Sequence, residues 1–229
     1  MADVTAPLSP DRAGAVLTID LAAIAESFPR AVPVFPLSGV LLFPGAVLPL
    51  HIFEPRYRAM LKDARAGDGL IAMALLKTCD PEEYRTRPPY HATVCVGSLV
   101  HVEGLPDGRS NVALLGVSAG LAEPEASDAP YPVARVHLAP DRFDPDAAYA
   151  AKLARAVEAA LKGAVGMADL ERQLAQYLDP EQIPAGLLNT CALTAPLLPL
   201  DKLALLEERS LKGRLDLLLR LLDRPWQWN

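Results

Sequence analysis

The spacing of apolar residues changes near residue 145 and divides the chain into two unlike parts. From Ala31 to about residue 140, short apolar runs are separated by Pro and Gly, and the 22 prolines of the chain are about twice the average usage of roughly 5%. After 'DRFDPDAA' the composition shifts to Ala and Leu at helical spacing. Short runs bounded by turn residues predict strands, and the later spacing predicts amphipathic helices.

These patterns predict an α+β protein in three segments. Residues 1–30 form an N-terminal extension with one short helix, residues 31–145 a barrel domain, and residues 146–229 a helical bundle domain. About six strands and one helix are expected between residues 32 and 140. This arrangement of strands is too irregular for a sandwich and is typical of a small, partly closed barrel.

The most apolar stretch of the barrel part contains two expected strands, 'VPVFPL' and 'AVLPLHIF', joined by the loop 'SGVLLFPGA'. Prolines inside these strands favour sheet edges or strand ends. The loop is itself apolar and must be packed, and Pro44-Gly45 predicts a turn within it. Pro55 follows Glu54 in a position typical of a first helical residue, so a helix is expected from there to Gly67.

The rest of the barrel part is predicted from one buried run, one charged run and one turn. 'GLIAMALLK' is apolar throughout and predicts a buried strand. Residues 78 to 92 are charged and proline-rich, and we interpret them as an exposed loop. Pro106-Asp107-Gly108 predicts a hairpin turn between two strands, with Gly in the left-handed position. 'YPVARVHLAP' supplies the last strand.

Five helices are expected in the C-terminal part. Asp144 is the predicted N-cap of the first, with Pro145 as its first residue. The second is 'MADLERQLAQYL', the third begins near Pro184 and the fourth is 'LDKLALLEE'. Ser210 is the predicted N-cap of the fifth, which runs to about Leu222. Each apolar stripe needs a partner, so these helices should pack together.

The search for catalytic chemistry indicates no enzyme. The P-loop, the G-x-S-x-G elbow and the H-E-x-x-H pair indicate nucleotide, esterase and zinc-peptidase chemistry, respectively. The sequence contains none of the three motifs. Cys79, Cys95 and Cys191 are scattered and are interpreted as reduced core thiols. Cys95 could pair with His101 or His137 as a nucleophile, but a strand histidine beside a buried thiol is the favoured interpretation. We expect no cofactor and no metal.

Two charged clusters invite a binding role. In 'FEPRYR', Glu54, Arg56 and Arg58 could hold an anionic ligand at a helix N-terminus. A structural role is favoured, with Glu54 beside the positive end of the helix, Tyr57 packed inward and an arginine paired with a strand carboxylate. 'DPEEYR' lacks the ligand spacing and glycine-containing loop of a divalent cation site, so it is interpreted as a solvated loop.

Charge and hydropathy limit the partners and the location. The formal net charge is -6 and the acidity is concentrated before residue 148, whereas nucleic-acid binding usually needs a basic face. The N-terminus lacks the features of a signal peptide, and 'LDLLLRLLD' is too short and too charged to cross a bilayer. We therefore expect a cytoplasmic protein with no nucleic-acid or membrane partner. The oligomeric state is left open.

The segments that carry a family resemblance are 'VPVFPLSGVLLFPGAVLPLHIFEPRYRAMLKDA', 'GLIAMALLK' and 'VGSLVHVEGLPDGRSNVALLGV', followed by a Leu-rich helical tail. Over about residues 31 to 222 the chain resembles the N-terminal substrate-recognition domain of Lon proteases, and most of all the stand-alone bacterial form without the ATPase and peptidase domains. The resemblance implies a PUA-like, six-stranded pseudo-barrel joined to a helical bundle. The segment 'GVSAGLAE' departs from the family, which often has basic and aromatic residues there.

The resemblance also implies a function. It points to a non-catalytic module that binds protein or peptide segments, unfolded or disordered ones among them, or that acts as an adaptor. The apolar loop could form one wall of a groove, and terminal Trp residues either cover the bundle or engage a partner. The candidate client-binding residues are Leu41, Leu42, Phe43, Trp226 and Trp228. The alternative is an RNA-binding protein, because PUA-like barrels often contact RNA.

Overall fold

The computed structural model describes residues 21–161, 172, 173, 175, 178 and 181–224. The strands are β1 (Arg30–Leu37), β2 (Val47–Ile52), β3 (Leu70–Leu76), β4 (Tyr90–Gly104), β5 (Ser110–Glu125) and β6 (Val133–Leu138). The helices are α1 (Leu21–Glu26), α2 (Pro55–Ala66), α3 (Pro81–Thr86), α4 (Tyr149–Leu161), α5 (Ile183–Thr194), α6 (Pro199–Glu207) and α7 (Leu211–Leu222). The expected helix 'MADLERQLAQYL' lies largely outside the described residues.

The six strands form one sheet, in which five strands close into a ring and β2 pairs with β5 at the edge. Their order is β2-β5-β4-β3-β1-β6, and β6 also pairs with β5. Only β1 and β3 are parallel among these pairs. Closure depends on the length of β5, because Ser110 to Leu115 pair with β2 while Gly120 to Glu125 pair with β6. The predicted six-stranded pseudo-barrel in an α+β protein is therefore confirmed.

The two faces of the ring carry different cores, since successive side chains of a strand point to opposite faces. Val34 and Val94 belong to a cluster whose buried members, mostly Val and Ala, all come from the five ring strands. Their neighbours Phe35 and Cys95 belong to a larger cluster that includes α2 and the C-terminal helices. A helix does not fit inside a ring of five strands, so the small side chains fill the ring and the larger ones cover its outer face.

The prolines of β1 and β2 predict sheet edges or strand ends, and β2 lies at an edge of the sheet while Pro36 is next to the last residue of β1. β1 has a neighbour on each side, but the two neighbours use different halves of the strand. Arg30 to Pro33 pair with β6, and Val34 to Leu37 pair with β3. The change of partner falls between Pro33 and Val34, and the Val34 N–H donates to the carbonyl of Pro132 at 2.8 Å.

The segment from 78 to 92 contains a helix, α3, which the sequence analysis misses by interpreting the segment as a loop. The Asp80 carboxylate accepts hydrogen bonds from the backbone N–H groups of Glu82 and Glu83 at 2.8 and 2.9 Å. The Glu83 carboxylate accepts one from the Asp80 N–H at 3.2 Å. This reciprocal capping box is a helix-start signal that the 'DPEE' sequence contains. The barrel part thus has two helices after β1, not one.

Asp144 caps a different helix from the predicted one. Its carboxylate accepts a hydrogen bond from Ser210 Oγ at 2.8 Å, and this bond lowers the pKa of Asp144. Ser210 in turn accepts from Gly213 N–H at 3.0 Å and caps α7, as predicted. Asp146 accepts from Ala148 N–H at 3.0 Å, just before α4 begins. The sequence shows the cap-forming residues of this segment, but tertiary contacts decide which helix they serve.

A single hydrophobic cluster joins the ring to the helices. The loop between β1 and β2 contributes Leu41, Leu42 and Phe43 to it, and the C-terminal helices contribute Leu188 and Leu215 among others. The chain passes from strands to helices between the end of β6 at Leu138 and the start of α4 at Tyr149. This interval includes the expected boundary at residue 145. The division into separately folding domains stays a prediction.

The buried side chain of Arg214 connects the β1–β2 loop, the segment between β6 and α4, and helices α5 and α7. Arg214 on α7 has no solvent-exposed surface, and it donates to both carboxylate oxygens of Asp141 at 2.5 and 2.6 Å. It also donates to Asn189 Oδ1 at 2.6 Å, and Asn189 Nδ2 donates to the carbonyl of Pro44 at 2.8 Å. Carbonyls of Leu205 and Glu208 accept the remaining donors.

We predict that Arg214→Ala lowers the free energy of unfolding by about 3–5 kcal/mol, because it leaves the Asp141 carboxylate without its partner. Urea unfolding followed by circular dichroism measures the loss. The matched control is Arg155→Ala, whose ion pair with Asp223 is more than half exposed and should contribute less than about 1 kcal/mol. Equal losses in the two variants would contradict this prediction.

A second prediction concerns the place where the loop crosses β5. A Cβ atom on Gly116 would lie 2.0 Å from the backbone oxygen of Phe43. Gly116→Ala should therefore push the loop away and cost about 1–3 kcal/mol or more, as overpacking does. Gly104→Ala is the control, since a Cβ there meets nothing within 4 Å and should change stability by less than about 0.5 kcal/mol. The same urea titration checks both.

Candidate functional site

The 'FEPRYR' cluster is closed on itself. Arg56 lies between two rings, with its guanidinium carbon 4.5 Å from the Tyr57 centroid and 4.4 Å from that of Tyr84. Its Nε lies 3.1 Å from Glu54 Oε2, and the Tyr84 hydroxyl donates to Glu54 Oε1 at 2.7 Å. Burial and this hydrogen bond raise the pKa of Tyr84. The favoured structural role fits this geometry, although the carboxylate that pairs with Arg56 is Glu54 itself and not a strand residue.

These contacts clip α3 onto the start of α2. Arg56 also donates to the carbonyl of Tyr84 at 2.5 Å, so one guanidinium contacts both Glu54, before α2, and Tyr84, in α3. The Arg56 side chain is only 11% exposed, so an anion in solvent has little access to its guanidinium. Glu54 and Arg56 therefore hold α3 against the start of α2. Arg58 points elsewhere, toward the hairpin turn at Gly108.

The loop residues expected to contact a client lie in the core. Leu41 is 2% exposed and both Leu42 and Phe43 are 0% exposed. Their interior position corrects the expectation that this loop offers an exposed apolar wall, because the side chains fill the space between the ring and the helices. A client could reach them only if the loop moved. Trp226 and Trp228 lie outside the described residues.

An exposed apolar surface lies instead where α5 connects to α6. Leu198 is 72% exposed and Leu200 is 63% exposed, and we call this pair the leucine patch. Pro199 between them lies against the tip of the β1–β2 loop, since a Cβ on Gly39 would be 3.9 Å from its Cγ. The edge of the apolar loop therefore borders the leucine patch, although its three largest residues are buried.

Sequence reasoning misses the leucine patch for an identifiable reason. Leu200, Leu203 and Leu206 recur at helical spacing, and this pattern predicts one buried stripe. Leu203 and Leu206 are buried, but Leu200 lies in the first turn of α6 and is not covered. The proline on each side of the 'LL' in 'APLLPLDK' is the signal that this run belongs to a connection and not to a helix interior.

Cys95 lacks the features of an activated thiol, and its candidate partner His101 is exposed. Cys95 is fully buried, its Sγ contacts the carbonyl of Val96 at 3.6 Å, and burial raises its pKa. His51 Nδ1 lies 2.8 Å from Asn111 Oδ1, and the half-exposed His137 lies 3.7 Å from Glu123. A thiol whose pKa is raised is a poor nucleophile. The interpretation of Cys95 as a core thiol fits this position.

Two further features concern only the described part of the chain. It contains no group of three or more His, Cys, Asp or Glu side chains that could hold a metal ion. None of its helices has the length and apolar character needed to cross a membrane.

The comparisons with known proteins decide the family. A family model described as the ATP-dependent protease La (LON) substrate-binding domain matches residues 31–224. The chain belongs to this family. Its match covers the ring, the helical part and the connection between them, so the resemblance carried by the 'FPL', 'LFPG' and 'FEPRYR' segments is confirmed.

Full-length relatives of this substrate-binding domain are much longer than the chain. Lon protease 2 of Myxococcus xanthus is 24% identical over 200 residues, which are 87% of this chain and 24% of that protein. The Lon protease of Anaeromyxobacter dehalogenans is 27% identical over 205 residues, with the same coverage of 87% and 24%. The chain thus spans about a quarter of the length of these relatives.

Solved Lon N-terminal domains share the fold. The N-terminal domain of Mycobacterium avium complex Lon protease matches with a TM-score of 0.57 and 19% identity, covering 86% of this chain and all of that one. A Lon N-terminal domain protein from Xanthomonas campestris matches with a TM-score of 0.59 and 24% identity, covering 83% and 98%.

The burial of the thiols leads to a labelling prediction. Cys95 and Cys191 are fully buried, whereas Cys79 is partly exposed, and burial raises the pKa of Cys191 to about 12. At pH 8 we expect Ellman's reagent to modify Cys79 quickly and the other two only after unfolding in urea. Cys79→Ser is the control and should abolish the fast reaction. Fast modification of Cys95 that persists below pH 7 would instead indicate an activated thiolate.

Proposed function

We propose that this chain binds exposed apolar segments of other proteins without changing them chemically. The observation that carries the proposal is the exposure of Leu198 and Leu200, 72% and 63%, in a chain whose family is described as a substrate-binding domain. Exposed apolar side chains that adjoin one another can mark a protein interaction surface, whereas single ones need no explanation. Unfolded or disordered segments are the clients that most often expose apolar side chains.

The energetics suit weak and broad recognition. Full burial of one leucine contributes about 1.5–3 kcal/mol, so covering the two already partly buried residues contributes roughly 2–4 kcal/mol. Association itself costs several kcal/mol. The leucine patch alone would therefore give weak affinity, and a client must gain additional contacts from the surface around it. A binder with weak, additive contacts accepts many sequences, as a substrate-recognition module requires.

A non-catalytic role suits a surface made of apolar side chains. Pro199 lies between the two leucines and Gly39 borders them, and neither has a group that could act as a nucleophile, acid or base. Binding would then depend on shape and apolar area. An adaptor role would add a second protein partner to the same scheme and would leave the leucine patch as the client surface.

The experiment uses a fluorescein-labelled, uncharged peptide of Leu, Ala, Ser and Gln, titrated with the whole chain by fluorescence anisotropy. Leu198→Ser/Leu200→Ser should weaken binding at least about tenfold, since a loss of 1.4 kcal/mol already corresponds to that factor. Leu121→Ser/Phe53→Ser is the matched control, because these two residues are 52% and 47% exposed on the barrel. It should bind the peptide like the unmodified chain.

Two results would refute the proposal. One is the absence of binding at high micromolar concentration, and the other is equal weakening by both double variants. A labelled oligouridine in a parallel titration tests the RNA-binding alternative. RNA binding at low salt together with no peptide binding would favour that alternative.

A further inference from the structure

A second surface lies on the barrel, in a shallow groove of about 730 Å³ between α2 and the β4–β5 hairpin. The helix contributes Arg58, Lys62 and Arg65 to its walls, and the hairpin contributes Gly108 and Ser110. The three basic residues are spaced by four and three positions, so they lie on one face of α2. All three are exposed. We call this surface the basic groove.

The charge of the basic groove is not neutralised within the described residues. Arg58, Lys62 and Arg65 take part in none of the ion pairs found there, and no carboxylate lines the groove. The nearby carboxylates in sequence have other partners: Asp63 accepts from Tyr131, Asp68 pairs with Arg30, and Asp107 pairs with Arg109. A surface with three positive charges therefore lies on a chain whose net charge is -6.

The backbone of the β4–β5 hairpin turn leaves space for the Arg58 side chain. Gly108 has a φ of +79°, and a Cβ atom there would lie 2.2 Å from an Nη atom of Arg58. The Arg58 guanidinium thus packs against the bare backbone of the turn, with no acidic group to hold it. This packing fixes one end of the row of charges, while Lys62 and Arg65 continue it along the helix.

The spacing of the charges indicates the size of the ligand. Seven residues of α-helix rise about 10 Å, which is the distance along the axis from Arg58 to Arg65. A single phosphate or carboxylate is too small to bridge it. An extended polypeptide rises about 3.3 Å per residue, so a five-residue segment with acidic side chains on alternate positions spreads three carboxylates over about 13 Å, within reach of the three long basic side chains of the row.

The lining favours a polypeptide over a nucleic acid. Single-stranded nucleic acids are usually held by aromatic side chains that stack on bases, and no aromatic residue lines this groove. Small apolar residues of α2, Ala59 and Ala66, lie among the charges instead and suit the aliphatic parts of a peptide. Three cations also provide few contacts compared with the six to ten phosphates that a typical DNA-binding protein engages.

We propose that the basic groove binds a short, extended, acidic segment of a partner polypeptide. The inference rests on the proposed function only in taking the partner to be a polypeptide. The groove lies on the barrel, and the leucine patch lies at the α5–α6 connection of the helical part, so the two surfaces select different features. One takes apolar side chains, and the other takes alternating carboxylates.

The test is an anisotropy titration of the whole chain with a labelled eight-residue peptide of alternating Glu and Ser. Arg58→Gln/Lys62→Gln/Arg65→Gln should weaken binding about tenfold, since three exposed ion pairs each contribute a modest share. The matched control is Lys77→Gln/Arg87→Gln/Arg220→Gln, exposed cations outside the groove. Both triple variants have a net charge of -6 - 3 = -9, so a general charge effect would weaken them equally. Raising the salt should weaken binding by the unmodified chain, because exposed charges are screened.

Further arms separate this inference from the proposed function. The same peptide with Lys in place of Glu should not bind, and Leu198→Ser/Leu200→Ser should bind the acidic peptide normally. Equal binding by the two triple variants, or no binding of the acidic peptide, overturns the inference even if the uncharged peptide still binds the leucine patch. Tighter binding of oligouridine than of the acidic peptide, lost in the groove variant, also overturns it.

Discussion

The buried pair of Arg214 and Asp141 is the interaction on which the arrangement of the two parts depends. Asp141 follows the last strand of the ring, and Arg214 lies on the last described helix, so their two hydrogen bonds of 2.5 and 2.6 Å tie the end of one part to the end of the other. A buried guanidinium is tolerated only if its donors are satisfied. Asn189 and two backbone carbonyls complete that set, and the helices must therefore stay in register with one another.

The apolar loop between β1 and β2 takes its position from the same network. Asn189 donates to the Pro44 carbonyl, and the Phe43 ring lies 5.9 Å from the Arg214 guanidinium carbon. The most hydrophobic stretch of the chain is thus the contact between a ring of strands and a layer of helices. It cannot also be an open client surface in this conformation. The two surfaces proposed for recognition, the leucine patch and the basic groove, both lie outside this contact.

Much of the fold could be predicted from local patterns, and the failures have physical causes. The hairpin at Gly108, the six strands and the Ser210 cap follow from turn chemistry and spacing within a few residues. Asp144 bonds to Ser210 at the start of α7 and not to α4. The two residues are 66 positions apart in the sequence, so local spacing does not reveal this contact. The burial of Phe43 has the same kind of cause, since a local pattern shows that an apolar loop must be packed but not what packs on it.

The candidate surfaces were harder to predict because exposure is a property of the assembled structure. Leu200 fits the same helical stripe as the buried Leu203, and Arg58 belongs to the same charged cluster as the enclosed Arg56. For the two arginines the difference comes from neighbours distant in sequence: Tyr84 of α3 packs on Arg56, whereas Arg58 lies against the turn at Gly108. Separate apolar and cationic surfaces give a weak binder two independent criteria. A segment that satisfies both gains the second contact at a high effective concentration, so selectivity can rise without a tight site on either surface.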